Sequence, residues 1–358
     1  MYLKIHMSQF AACLLGLLIG ATASGYAQKA PDFSSDAVWL DSGAKVPHSM
    51  KAYRGRVVLI DFWEYTCINC IRDFAVLKRW YAKYHSYGFE IIGVHFGEFA
   101  IGYKPENVRQ AAQRFQLPWP IVADINGSIW KAYKSESWPN RYLIDPDGQI
   151  VLHIEGEGNN APMEARIREL LMPHHPEVAK TPSEPDENTF APQCGRTTEE
   201  TYVGDWFGRG ALQNHEKYND GYVVRFKARQ EPDDGRVILE GNWRTDQDGV
   251  TSADKRDAKA TLRYHARSIY AVMSVDDPKK PVRVDLLQDG APLSNAAGAD
   301  AKADAGGSYI EVSEPRMYYL IKNPALASHL LALSPENRGF TLHSFTYGND
   351  CQQNFEEK

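Results

Sequence analysis

Two rhythms of apolar and polar positions divide this chain. Across residues 37–172, short apolar runs alternate with segments of helical period, the pattern of an α/β layer fold. "VVLIDFW", residues 57–63, is apolar at nearly every position, as a strand covered on both faces must be. After Cys70, the residues Phe74, Leu77, Tyr81 and Tyr84 recur at helical spacing, and Gly88 follows as a stop. "FEIIGVHF" reads as a second buried strand, "PENVRQAAQRF" as a helix opened by proline, "PIVAD" as a short strand and "GSIWKAY" as a short helix. "RYLIDPDGQIVLHI" is two runs divided by the turn residues Asp145, Pro146, Asp147 and Gly148, which predicts a hairpin. "APMEARIRELL" closes this region as an amphipathic helix.

Residues 173–192, "PHHPEVAKTPSEPDENTFAP", have no apolar period and are rich in proline and polar residues, so they are expected to form a linker. His174 and His175 within it read as solvated rather than metal-binding. From Cys194 onward the helical period nearly vanishes. "GYVVRFKAR", "RVILEGNWR", "ATLRYHARSIYAVMSV", "VRVDLLQDG", "MYYLIKN" and "FTLHSFTYG" are short alternating runs, which predict an all-β sandwich of the jelly-roll kind over residues 193–358. "SNAAGADAKADAGGS" within it is poor in large apolar residues and reads as an exposed loop.

At the N-terminus, Lys4 precedes an apolar segment over residues 10–23 and the small-residue stretch "ATASGYAQ", so residues 1–27 are expected to be a secretory signal. The run is shorter than the roughly 20 residues of a membrane-spanning helix, and the mature chain reads as soluble and periplasmic, with a short membrane anchor as the alternative. Export changes how the cysteines are weighed, because disulfides persist in oxidising compartments. Of five cysteines, Cys67, Cys70, Cys194 and Cys351 lie beyond the signal, an even number consistent with complete pairing. Removing Lys4 takes the formal charge from −6 to −7, which argues against nucleic acid as a partner.

Cys194 opens the β-rich region and Cys351 closes it. Joined, they would close a loop of about 157 residues, worth roughly 5 kcal/mol in the chain-entropy model; two free thiols are the alternative. Cys67 and Cys70 pose a different question. A zinc site needs four ligands, and one close pair with His95 in reach does not complete a tetrahedron, so no metal is expected. A purely structural bridge across two residues constrains little of the unfolded chain. A redox pair gives each sulfur a task. With a strand ending near Trp63 and a helix beginning near Cys67, the first sulfur sits at a helix N-terminus, where the dipole favours a thiolate. Cys67 is then the attacking nucleophile, and Cys70, one turn along, resolves the mixed disulfide.

At these residues the sequence resembles a family. "IDFWEYTCINC" followed by "WPNRYLID" is similar to the thioredoxin superfamily, nearest to its exported TlpA-like branch and to the extracytoplasmic part of DipZ-type proteins. The resemblance implies a thioredoxin-like domain over residues 28–172, followed by a β-rich module similar to carbohydrate-binding modules. It implies no cofactor. It also implies protein disulfides or thiols as substrates, a separate membrane electron donor of the CcdA/DsbD-like kind, and a glycan as a candidate ligand of the module.

The resemblance further makes Asp61 a proton acceptor for the resolving thiol, with a hydrogen-bonded strand-end acid as the alternative. Pro139 matches a cis-proline that lets the preceding backbone, at Trp138, pair with a bound peptide. Trp63 matches the tryptophan beside the site, as packing or as a substrate contact. Glu98 resembles a glutamate of exported reductases, either transferring protons or standing as an exposed loop carboxylate. Two positions depart from the DipZ-like pattern: Glu64 replaces a small polar residue, and Gly97 replaces a proline. Glu64 is expected either to repel a Cys67 thiolate, making the pair more reducing, or to point into water and be screened. Trp206, Trp243, Tyr218 and Tyr222 could stack on sugar rings, although aromatic residues in a sandwich are more often core. The functional expectation is an exported, reductase-leaning thiol-disulfide oxidoreductase, with an oxidase or isomerase, or a binding protein on a thioredoxin-like platform, as alternatives.

Overall fold

The computed structural model describes residues 28–40, 47–185, 190–205, 209–216, 218 and 221–352. The signal expected over residues 1–27 and the candidate Trp206 lie outside these.

Seven strands form the first sheet: β1 (Gln28–Lys29), β2 (Val38–Trp39), β3 (Val57–Trp63), β4 (Phe89–His95), β5 (Ile121–Ala123), β6 (Asn140–Ile144) and β7 (Gln149–Glu155). Their order is β1-β7-β6-β3-β4-β5-β2, with β3, β4 and β5 parallel, β6 antiparallel to β3, and β7 antiparallel to β6. All seven residues of central β3 are buried because they point alternately into two cores. Val57, Leu59 and Trp63 meet α1 (Ile68–Tyr84), α2 (Pro105–Arg114) and α4 (Asn160–Leu171) through Phe74, Leu77, Val108 and Ile167. Val58, Ile60 and Phe62 face the other side, where α3 (Ser128–Tyr133) contributes Ile129 and Tyr133. The α/β reading therefore holds, and the hairpin falls at Asp145–Gly148, where the Gly148 N–H donates to the Asp145 carbonyl at 2.8 Å.

The second sheet has eleven strands. Its spine is the strand Lys259–Val275, which pairs along its length with Arg316–Pro335. The first half of that spine also pairs with Val237–Thr245, and the second half with Phe340–Gly348. By changing partner midway, the strand wraps the sheet around one apolar core containing Trp243, Tyr264, Ile269 and Leu331. Cys194 and Cys351, 157 positions apart in sequence, are joined, with their Cα atoms 5.1 Å apart.

Two expectations change. The stretch expected to be a linker packs on the first domain: Pro176–Lys180 forms a 3-10 turn with Val178 fully buried, and Arg168 donates to the carbonyls of Ala179 and Thr181. Among its described residues only Val178 is buried, and one buried position in a polar, proline-rich segment leaves no period to read. The stretch expected to be a loop is mostly exposed, yet Lys302–Asp304 pairs in a hairpin with Gly307–Val312 and Ala296 is buried.

The two sheets are not separate bodies on a tether. Tyr202, Tyr270, Val272, Met317 and Tyr319 from the second region join the apolar cluster beneath α1. Arg72 of α1 reaches the Tyr347 carbonyl at 3.4 Å and lies over the Tyr270 ring. Among the described residues, no helix is long and apolar enough to cross a membrane.

Candidate functional site

Strand β3 ends at Trp63, and four residues later Cys67 serves as N-cap of α1. Its backbone is extended (φ −83°, ψ 109°), and its Sγ accepts a hydrogen bond from the Cys70 N–H at 3.4 Å, as an N-cap side chain does. Both thiols are free; Cys67 is partly exposed and Cys70 is buried. The pair thus occupies the helix start that the spacing predicts, with one sulfur accessible and one behind it.

The electrostatics correct the expectation for Cys67. Burial pushes its thiol up, hydrogen bonding with Cys70 pulls it down, and the carboxylates of Glu98 and Glu200 push it up again, so it lies above an ordinary cysteine. The helix terminus is outweighed. Cys70 is raised further, first by burial, then by the Cys67 thiol and the Asp61 charge.

Asp61 lies in the middle of the sheet, opposite Arg141 on β6 and Gly93 on β4. Burial raises it to about 7, Arg141 opposes the rise, and Asp73 adds to it. Its Oδ1 accepts no hydrogen bond from the described residues, which leaves an acceptor open for a proton. Asp73, one turn after Cys70 on α1, is also raised to about 7 by burial, and it pairs with Arg141 at 3.5 Å. Arg141 is fully buried and donates to Asn160 Oδ1 at 2.8 Å and to the carbonyls of Gly156 and Gly158. One guanidinium therefore serves two carboxyls behind the cysteines. Neither Asp73 nor Arg141 was singled out from the sequence; the readable signal was a charge on an otherwise apolar stripe or strand.

Glu64 does not point into water. It is fully buried: the Thr66 N–H donates to its Oε2 at 2.5 Å, and the Thr66 hydroxyl bonds the same oxygen. Its Oε1 lies 3.5 Å from His95 Nε2, whose ring stacks on Tyr65 and stands edge-on to Trp63. His95, considered above for zinc, is thus a neighbour of Glu64. The two departures from the DipZ-like pattern meet here. A Cβ on Gly97 would lie 2.8 Å from the Gly102 carbonyl carbon, and one on Gly102 would lie 2.7 Å from Gly97 Cα and 3.1 Å from Glu64 Oε1. Close backbone crossing above a buried carboxylate requires glycine at both places.

Glu98 is half-buried in the loop after β4 and accepts a hydrogen bond from the Tyr202 hydroxyl at 2.6 Å. It is held well above the usual carboxylate range by burial and by Glu200, with Tyr202 acting in the opposite sense. The Trp138–Pro139 peptide is cis. The Trp138 side chain packs in an aromatic group with Phe96 and Trp130. Trp63 is fully buried and has no face for a substrate, so that expectation is replaced by a packing role. Of the aromatic residues considered for sugar stacking, Trp243 is core and Tyr218 bonds backbone at Val203 and Leu212, while Tyr222 is exposed. The groove of about 860 Å³ on the second region is lined by Arg225, Lys227, Glu240, Arg256, Asp257 and Lys259, charges rather than ring faces.

Two family models match the chain: the AhpC/TSA family over residues 26–153 and a "Thioredoxin like C-terminal domain" over residues 198–348. Protein DipZ of Mycobacterium tuberculosis is 34% identical over 324 residues, covering 89% of this chain and 43% of that protein. The chain thus spans less than half the length of its DipZ relatives. A structure described as a putative thiol:disulfide interchange protein DsbE from Chlorobium tepidum aligns over 40% of this chain and 96% of its own, at 24% identity and a TM-score of 0.35. The thiol-disulfide oxidoreductase ResA of Geobacillus thermodenitrificans is 33% identical over 135 residues, 38% of this chain and 72% of that protein. With its cysteine pair at the start of α1 and this match across most of ResA, the chain belongs to the family of thioredoxin-like thiol-disulfide oxidoreductases.

Proposed function

We propose that this protein works outside the cytoplasm as a protein disulfide reductase, with residues 28–172 as its redox domain and residues 193–358 as a β-rich domain docked on it. The observation that carries the reading is the placing of the two sulfurs, one accessible at a helix N-terminus and one buried behind it beside a raised carboxyl. In the reductive half-reaction the Cys67 thiolate attacks one sulfur of a substrate disulfide, forming a mixed disulfide and releasing the first substrate thiolate, which takes up a proton. Cys70, having given its proton to Asp61, attacks Cys67 Sγ. The second substrate sulfur leaves as a thiolate and is protonated in turn. The substrate gains two electrons and two protons, and a Cys67–Cys70 disulfide remains for a separate dithiol donor, here a membrane protein, to reduce.

The direction is supported by the raised Cys67 thiol. A strongly oxidising pair stabilises its reduced form as a thiolate, and burial here does the reverse. Export is supported by the composition of residues 1–27 and by the Cys194–Cys351 bond, which suits an oxidising compartment. The test is redox equilibration of Cys67 and Cys70 against glutathione, together with insulin reduction. A potential near −270 mV is expected, whereas one near −120 mV would make the protein an oxidase.

A further inference from the structure

We propose that the β-rich domain completes the redox site: Tyr202 is a positioning residue that fixes Glu98 of the loop after β4, a carboxylate whose charge acts on Cys67, so the two domains form one catalytic unit. The inference rests on Cys67 being the attacking thiol.

Three consecutive residues of the loop after β4 are held by the second domain. Glu98 Oε1 accepts from the Tyr202 hydroxyl at 2.6 Å. The Phe99 ring packs against His343 at 5.2 Å and Tyr202 at 6.2 Å. The Ala100 N–H donates to Asp248 Oδ2 at 2.8 Å. Tyr202 itself is fixed. It stands on the two-residue strand Thr201–Tyr202, paired with Ser344 and Phe345, and its ring is buried in the apolar cluster of the first domain. Such an anchor sets the place of a carboxylate more firmly than a loop alone does.

The hydroxyl has a second acceptor, Glu200 Oε2 at 3.1 Å, but only one proton to donate. The groups facing Glu98 are therefore Tyr202, Glu200 and Arg209 from the second domain and Glu64 from the first. Cys67 is acted on by Cys70 through a hydrogen bond and by Glu98 and Glu200 through their charge. The Tyr202 hydrogen bond favours an ionised Glu98, while Glu200 favours a neutral one; Glu200 has an exposed edge, yet burial of its carboxyl raises it to about 7, so it acts on Glu98 at least as strongly as Tyr202 does. Because an ionised Glu98 disfavours the Cys67 thiolate, Tyr202 helps set the pH at which Cys67 becomes reactive.

The experiment is the pH profile of Cys67 alkylation by iodoacetamide in the reduced full chain, with Glu98→Gln identifying the inflection that belongs to Glu98. Tyr202→Phe keeps the ring and is expected to move that inflection up by about one pH unit, the worth of one hydrogen bond to a charged group. Glu200→Gln is expected to move it down. An inflection unmoved by either variant, or moved the same way by both, reduces Tyr202 to packing and overturns the proposal. Should Tyr202→Phe not fold, an inflection unmoved in Glu200→Gln is enough to overturn it. Failure of the reductase reading looks different: Cys67→Ser would then retain insulin reduction, whatever the titration shows.

Discussion

The two cysteine pairs make opposite use of the same chemistry. Cys194 and Cys351 are far apart in sequence, meet at the two ends of the β-rich domain and are bonded. Cys67 and Cys70 are neighbours on one helical turn and unbonded, with Asp61 and Glu98 acting on them. A bond across a long loop removes much freedom from the unfolded chain, while one across two residues removes little. Loop length therefore decides which pair stabilises, and surroundings decide which pair reacts.

That contrast can be broken at several points. Cys67→Ser should reduce insulin turnover to the uncatalysed background while leaving the circular dichroism spectrum and unfolding midpoint in place; residual turnover would mean that another nucleophile is at work. The double variant Cys194→Ser/Cys351→Ser should do the converse. Its turnover per folded molecule should be retained, but unfolding of the β-rich domain in urea should become easier by about 2–5 kcal/mol. If turnover falls as well, the second pair also supports the redox site through the domain interface.

Asp61→Asn should slow reduction by about 10²-fold, the lower range for loss of a proton-transfer group, with the burst of mixed disulfide persisting because attack by Cys67 is spared. Its stability effect has the opposite sign. Asp61 is raised from 3.8 to about 7, so between these values the folded chain holds a proton that the unfolded chain has released. That contribution is fully present below pH 3.8 and is lost as pH rises through 7. It leaves a buried charge whose cost is at most about 4 kcal/mol. The asparagine variant should therefore resist urea better than wild type at pH 8 and no better at pH 4. The smallest effect is expected from Glu64→Thr. Thr66 and His95 already engage that carboxylate, so the Cys67 alkylation profile should shift by less than about half a unit. A larger shift would restore Glu64 as the source of the reducing character.

Much of the first domain was legible because its order is local. The apolar run of β3, the helical spacing after Cys70 and the turn at Asp145–Gly148 each lie within a short window, and the cysteine spacing places both sulfurs. Asp61 and Pro139 became readable through resemblance. What escaped was set by distance or by burial. Glu98 and Tyr202 are separated by 104 positions and share no periodicity. Val178 is one buried residue in a mostly polar stretch without a period. The helix-start rule anticipated the place of Cys67 but not the burial that raises its thiol, since burial depends on everything packed around the sulfur. Glu64 failed for the same reason, being a charge in a place that local sequence cannot show to be dry.

The disulfide also determines how the molecule carries load. Because Cys194 and Cys351 stand at the two ends of the β-rich domain, tension applied to the chain on either side of them passes through the sulfur–sulfur bond and bypasses the strands between. The domain is mechanically a closed ring, hung from the chain at a single covalent point. Pulling would loosen its contacts with the redox domain before stretching any of its own strands, and reducing that bond would reverse the order of failure.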